Sequence, residues 1–374
     1  MAGVLVHEWL GQTGGSEKVL DAFADLYHDA DIYCLWDDTG RYSSDRLHES
    51  KLAGTPLRSK KALALPAMPV VWRNLNSAKA YDWALISSHL FAHHARFSGI
   101  NRDIPKYVYV HTPARYIWEP DLDKRGNNPI FRAVSQAYQK LDFHRAQEHH
   151  SVVANSKFVA DRILRCWEVE AQVVHPPVDV EIIQSVSDWT SLAEGGDADV
   201  FSKLPTEFVL GASRFVSYKG LEIVIRAAEL VGLPVVIAGA GSGEQALRDR
   251  AAAASVPVTF VISPSDAMLY GLYQRCSVYV FPPVEDFGIM PVEAMAAGAP
   301  VVANRLGGTS ESVVHGVSGY LADMGDESDI KRSVELAIGL NRGAIASSTS
   351  RFSAEAFRTK VADWVPSSTS LDRG

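Results

Sequence analysis

Residues Val278 to Val302 read VYVFPPVEDFGIMPVEAMAAGAPVV. An apolar run, Val278 to Phe281, has the length and composition of a buried strand, and Pro282-Pro283 stop it before an acidic turn, Glu285-Asp286-Phe287-Gly288. The turn opens a helix from Ile289 to Ala297. Met290, Glu293, Ala294 and Ala297 fall at helical spacing, and Pro291 sits in the first turn, where a missing N–H costs nothing. Gly298 ends the helix, and a second apolar run, Ala299 to Ala303, follows at once. Strand, turn, helix, strand is the unit of a parallel α/β sheet. Its turn lies at the carboxyl end of a strand, which is where such sheets bind their ligands.

Two carboxylates mark this unit, Glu285 before the helix and Glu293 inside it, with seven residues between them. Backbone amides at Phe287, Gly288 and Ile289 open a helix N-terminus, which favours polar or anionic groups. Read by themselves, these residues also suit an ordinary strand–helix–strand crossover with a capping glutamate. The whole run EDFGIMPVEAMAAGAPVVA, with Gly288, Pro291, Glu293-Ala294, Gly298 and Pro300-Val301 in register, resembles the nucleotide-sugar signature of retaining glycosyltransferases of family four. That resemblance implies the GT-B fold: two Rossmann-like domains with a cleft between them.

The chain of 374 residues is 47% hydrophobic and 21% charged, enough for two domains with large cores. A formal charge of −8 argues against a general nucleic-acid binder. Cys34, Cys166 and Cys276 are far apart and lack metal-ligand spacing, so no metal site is expected and a reducing cytoplasm is the simple reading. The start MAGVLVHEWLGQ lacks the basic-then-apolar pattern of a leader. No run of 18 apolar residues occurs, so neither secretion by that route nor a membrane span is expected.

Gly3 to Val6 reads as the first strand, and Gly11 to Glu17, with Gly14-Gly15, leads into a helix carrying Val19, Leu20, Phe23 and Leu26 on one face. Strand, glycine loop and helix suit either a phosphate cradle or a tight turn. The resemblance implies that Gly14 and Gly15 border the acceptor and diphosphate. Between Lys51 and Tyr81 no acid occurs, while Lys51, Arg58, Lys60, Lys61, Arg73 and Lys79 alternate with Leu57, Leu63, Leu65, Met68, Val70, Val71 and Trp72. This suits contact with an anionic membrane or a lipid-linked pyrophosphate acceptor, and equally a helical pair whose lysines are solvated.

Strands are expected at Trp83–Ser87 and Tyr107–Val110, the first leading to Ser88-His89 and the second to HTPARYIW, His111 to Trp118. That loop gathers an imidazole, the Arg115 guanidinium and aromatic rings, a mixture suited to a sugar. It resembles the HTPxRYxW stretch of the mannosyltransferase-like branch, which implies that His111 faces the donor sugar. A further strand, Val152–Ala154, precedes the helix Phe158–Trp167, capped by Asn155 or Ser156. Pro176-Pro177 stiffen a connector, and residues Glu181 to Pro205, with the polar patch Glu194 to Asp197, read as a peripheral loop.

Beyond it, the strand Phe208–Gly211 leads to Arg214 and Lys219 on one loop, where two cations can converge on a diphosphate without a metal. The pair resembles the family's R-x4-K-G clamp. Gly239 and Gly241 end the next strand but lack the acidic partner of a dinucleotide site, and the resemblance places them near the nucleotide base. Gly307 and Gly308 make another turn, expected beside the donor phosphates.

The expected division is 1–172 for the acceptor-side domain, with a helix at 352–366 packing back on it, and 173–351 for the donor domain. The resemblance implies a metal-independent transferase with no cofactor, whose substrate donor is a nucleotide sugar, GDP-mannose by analogy, and whose acceptor is a glycan or lipid-linked glycan in surface polysaccharide synthesis. Residues 51–81 would give peripheral contact with the inner face of the membrane. The same fold also suits a transferase using a UDP- or ADP-sugar, and a sugar-nucleotide 2-epimerase.

Overall fold

A computed structural model describes residues 1–12, 14–118, 129–193 and 195–365. Thr13 of the first glycine loop, Glu194 of the polar patch and residue 366 lie outside them. The chain divides into two compact units, Met1–Pro177 joined by the segment that returns at Glu355, and Val178–Ala354.

The first unit is built on seven strands: β1 (Gly3–His7), β2 (Asp31–Cys34), β3 (Leu47–Glu49), β4 (Trp83–Ser88), β5 (Lys106–Val110), β6 (Ser151–Ala154) and β7 (Gln172–Val173). They lie in the order β3-β2-β1-β4-β5-β6-β7, and every pairing is parallel. Parallel strands are covered on both faces, which is why the central ones are continuous apolar runs. Leu5, Leu85 and Tyr109 face helix α1 (Gly15–Leu26) through Val19, Leu20 and Phe23. Val6, Ile86 and Val110 face the other way, onto Val159, Ile163 and Trp167 of α2 (Lys157–Trp167). Ser156 caps α2, its hydroxyl accepting from the Val159 amide at 3.1 Å.

The terminal helix Ala354–Trp364 completes the α1 layer. Phe357, Val361 and Val365 are buried in that core, contributing about 1.5–3 kcal/mol each, and the Trp364 indole N–H donates to Ser151 at 2.8 Å. Phe352, expected to travel with this helix, instead packs in the second unit against Phe287, with ring centroids 5.6 Å apart. The extended Ser353 breaks the apolar stripe between them.

The second unit has six parallel strands: β8 (Val209–Ala212), β9 (Val235–Gly239), β10 (Val258–Ile262), β11 (Val278–Phe281), β12 (Val301–Asn304) and β13 (Gly319–Ala322). Their order is β10-β9-β8-β11-β12-β13. Helices α3 (Leu221–Val231), α4 (Ile289–Ala296) and α5 (Glu327–Ile338) cover them, α3 and α5 on one face and α4 on the other. Residues 181 to 205, expected as loop, hold the helices Val180–Ser185 and Gly196–Lys203, with Ile183 and Phe201 buried. Helices this short leave too few turns for a periodicity to register.

The basic segment is also more internally paired than its composition suggests. Arg58 reaches Asp38 at 2.8 Å and Lys79 reaches Asp31 at 2.7 Å, while Arg73 pairs with Glu148. Lys51, Lys60 and Lys61 remain exposed, near the exposed side chains of Leu63 and Val70. Among the described residues no helix is long and apolar enough to cross a membrane.

Candidate functional site

Each sheet reverses its winding once, between β1 and β4 in the first unit and between β8 and β11 in the second. Such reversals leave a crevice at the carboxyl ends of the two strands, because their connections leave in opposite directions. The candidate residues collect at these two places.

In the second unit the loop after β8 carries Arg214 and Lys219, and the turn after β11 carries Glu285 and Asp286. The Lys219 ammonium donates to the Glu285 carboxylate. Its side chain is 11% exposed and that of Glu285 25%, and the ammonium also lies 5.4 Å from the Tyr218 ring centroid and 5.9 Å from that of Phe281. Arg214 donates to the Tyr218 hydroxyl at 2.7 Å.

The glycines explain how these loops hold their places. The Gly308 amide donates to the Glu285 carbonyl at 2.8 Å, and a Cβ on Gly308 would come within 1.9 Å of the Asp286 carbonyl oxygen. The Gly307-Gly308 loop therefore buttresses the acidic turn from behind. Gly239 and Gly241 serve the Arg214 loop in the same way: a Cβ on Gly239 would lie 1.9 Å from the Ser213 carbonyl oxygen and one on Gly241 2.6 Å from that of Phe215, while Phe215 donates its amide to Ala240 at 2.8 Å. Gly288 caps α4 in a left-handed conformation, φ 86°, with Ile289 as the first helical residue. Glu293 is buried in α4 at 8% exposure. The Phe287 ring is in the core, so its contribution to a ligand is limited to backbone.

In the first unit, strand parity places His7, Ser87 and His111 on one face, since Leu5, Leu85 and Tyr109, each two residues earlier, share a core. Ser87 Oγ lies 3.0 Å from His7 Nδ1 and 2.9 Å from His111 Nε2, one hydroxyl bridging two imidazoles. His89 stands edge-on to both rings, at 5.8 and 6.3 Å between centroids. Burial pushes His7 down to about 4 and His89 down to about 3. His111 lies well below its ordinary value, from burial first and then from His89 and His7. All three are neutral at pH 7. Beside them, Glu8 Oε1 accepts from the amides of Leu90 and Ala92, each at 2.8 Å, and burial raises that carboxyl's pKa.

The Gly14-Gly15 loop differs from the expected cradle, because its anion is supplied by the chain. Glu17 accepts from the Gly11 amide at 3.1 Å and the Ser16 hydroxyl at 2.8 Å, and a Cβ on Gly14 would lie 2.1 Å from its Oε2. Arg115 opens a short helix, Arg115–Trp118, and is half-buried. One group of three possible metal ligands occurs among the described residues, His93, His94 and Asp142. It is buried in the first unit, where Asp142 bonds His94 at 2.8 Å on one oxygen, with His93 Nε2 3.0 Å from that oxygen, and accepts from the indole N–H groups of Trp118 and Trp167 on the other. Those donors make it a structural carboxylate.

Residues 14–182 match the family described as Glycosyltransferase Family 4, and residues 198–355 match Glycosyl transferases group 1. Both halves of the chain match glycosyltransferase models, and the fold is GT-B. D-inositol 3-phosphate glycosyltransferase of Mycolicibacterium smegmatis is 31% identical over 228 residues, covering 52% of this chain and 49% of that protein. An alpha-1,3/1,6-mannosyltransferase of Neurospora crassa is 29% identical over 216 residues, covering 47% and 45%. The chain thus spans about half the length of the curated relatives it matches.

Among solved structures, Anabaena HepE in complex with UDP-glucose has a TM-score of 0.68 at 20% identity, over 97% of this chain and 98% of that one. Sucrose-phosphate synthase from Thermosynechococcus elongatus gives 0.69 at 15% identity, over the same shares. These likenesses carry the fold. Sequence reasoning in this GT-B chain missed His7 and Ser87 and assigned no role to His89. The available signal was a polar group at the carboxyl end of each of the two strands at the sheet's reversal.

Proposed function

We propose that the chain transfers a hexose from a nucleotide sugar, mannose from GDP-mannose, onto a glycan or lipid-linked glycan acceptor in surface polysaccharide synthesis, with retention of anomeric configuration. The observation that carries this reading is the pairing of Lys219 with Glu285, with Arg214 on the same loop as Lys219, at the carboxyl edge of the second sheet where its winding reverses. A departing nucleoside diphosphate needs cationic donors, and this loop supplies two without a metal. Arg214 and Lys219 neutralise the diphosphate, and the amides near Gly288 and Gly308 add to that. Glu285 holds donor-sugar hydroxyls, Glu293 holds the ribose, and His111, held neutral, is assigned to the charge developing at the reacting carbon.

The likeness to a mannosyltransferase supports the choice of sugar. A UDP- or ADP-sugar donor uses the same groups, and a 2-epimerase would interconvert its donor with no acceptor present. Peripheral contact with an anionic membrane, on the cytoplasmic side, rests on Lys51, Lys60 and Lys61 with Leu63 and Val70 beside them.

A panel of nucleotide sugars in a thermal-shift assay tests the donor assignment, since a ligand adds RT ln(1 + [L]/Kd) to stability. GDP-mannose should give the largest rise. A larger rise with UDP-glucose or an ADP-sugar would reassign the donor, and no rise with any of them would overturn the reading.

A further inference from the structure

At the amino-terminal ends of β4 and β5, on the edge of the first sheet opposite His111, lies a cavity of about 280 Å³. Its wall includes Arg96, Arg102, Lys106, Asp103 and Glu148. Lys106 begins β5 and His111 follows its end, so the strand separates them by about 16 Å at roughly 3.3 Å per residue. The cavity is therefore distinct from the candidate site at the carboxyl edge.

Its charges are unbalanced. Lys106 is only 8% exposed, yet among the described residues its ammonium reaches just two acceptors, the Ala95 carbonyl at 3.4 Å and Glu148 at 3.3 Å. Bonds between ionised partners are ordinarily about 2.7–2.9 Å, so the Glu148 contact is loose, and the carbonyl contact is longer still. Glu148 is held closely by Arg73 instead. Arg96 spends one nitrogen on Asp103 at 3.0 Å, and that carboxylate is 81% exposed. The Arg102 guanidinium has no acceptor among the described residues. Arg73, outside the cavity wall, takes up Glu148, so the wall's three cations Arg96, Arg102 and Lys106 are left facing Asp103 alone, a local excess of positive charge in a chain of formal charge −8. A buried ammonium with poor acceptors is costly, and an incoming anion offsets that cost.

We propose that this cavity binds a phosphate-class dianion, orthophosphate or the head of a small phosphomonoester, through Lys106, Arg102 and Arg96. A dianion matches the excess of two cations over acids, and its oxygens can accept from one ammonium and two guanidinium groups together. The electrostatics agree: burial, with repulsion from Arg73 and Arg96, pushes Lys106 down to about 8 despite Glu148. An anion close to the ammonium relieves both effects.

The test is calorimetric titration of the full chain at pH 7 and constant ionic strength, with orthophosphate and with methyl phosphate. The double variant Arg214→Ala/Lys219→Ala serves as background, so that the donor loop cannot take the anion. Saturable binding with a dissociation constant of roughly 1 mM or tighter is expected. It should weaken at least tenfold in Arg102→Ser, an exposed position where folding survives, and weaken as pH rises through about 8. Tighter binding of methyl phosphate assigns a phosphomonoester ligand, and tighter binding of orthophosphate the free ion. No saturable binding of either, or binding unchanged by Arg102→Ser, would overturn the site.

Discussion

The ammonium of Lys219 is paired with the carboxylate of Glu285, joining the loop after β8 to the turn after β11. Each group is assigned to a different part of the donor, lysine to the diphosphate and glutamate to the sugar. On that assignment the pair opens as a donor enters. A partly exposed pair of this kind contributes about 1 kcal/mol or less to stability, so it can be exchanged for a ligand.

Lys219→Ala and Arg214→Ala should each lower turnover by roughly 10²-fold or more while leaving the fold intact, because each removes charge stabilisation from the leaving group. Steady-state transfer rates and circular dichroism on the same preparations check this. Folded variants with near-native turnover would take both residues out of the mechanism.

Ser87→Ala removes the hydroxyl that bridges His7 and His111. We expect turnover to fall roughly tenfold with the donor KM little changed, since Ser87 positions the imidazole and touches no donor group. The buried ring nitrogens left without a partner should also cost about 1–3 kcal/mol of stability. Ser87→Thr, which keeps the hydroxyl, should restore much of the rate. Equal loss in both variants would reduce Ser87 to a packing role.

The contrast between these residues shows what a sequence can disclose. The unit from Val278 to Val302 is legible because its signals are local: two apolar runs, two prolines, a helical spacing and a glycine. The Arg214–Lys219 loop is legible for the same reason. Ser87 and His7 stand 80 positions apart and meet only through the parallel register of β1 and β4, which no local pattern encodes. The Gly14-Gly15 loop reads as a cradle for a foreign phosphate because the sequence does not disclose that Glu17 folds back into it. In the 51–81 segment composition was misleading about free charge, since the acids paired with Arg58, Arg73 and Lys79 lie outside it.

Acid should destabilise the first unit early. His7, pushed down to about 4, and His89 and His94, each pushed down to about 3, stay neutral in the fold, while an unfolded histidine takes up its proton near 6.5. Between those values the unfolded state binds more protons, so stability rises with pH and is lost as pH falls below 6.5. Each histidine contributes up to about 1.4 kcal/mol per pH unit. Glu8, raised by burial, works in the opposite direction. Urea midpoints at pH 7 and pH 5 should differ clearly, with the lower value at pH 5. Equal midpoints would mean that the histidines are not buried as described.

If the 51–81 surface meets an anionic membrane, its unpaired cations attract head groups at about 1 kcal/mol each near the surface, less at high salt. Sedimentation with liposomes should then rise with anionic lipid, fall with salt, and weaken when Lys51, Lys60 and Lys61 are changed to Ser. Equal partition onto neutral and anionic vesicles, or none onto either, would leave a soluble acceptor as the better reading.

The most direct test of the central claim, that the Arg214–Lys219 loop receives a nucleotide-sugar diphosphate without a metal, is calorimetric titration of GDP-mannose in excess EDTA. The unaltered chain should bind it, and Lys219→Ala should weaken binding at least tenfold, about 1.4 kcal/mol. Binding that vanishes in EDTA and returns with manganese, or that is the same in Lys219→Ala, would contradict the account.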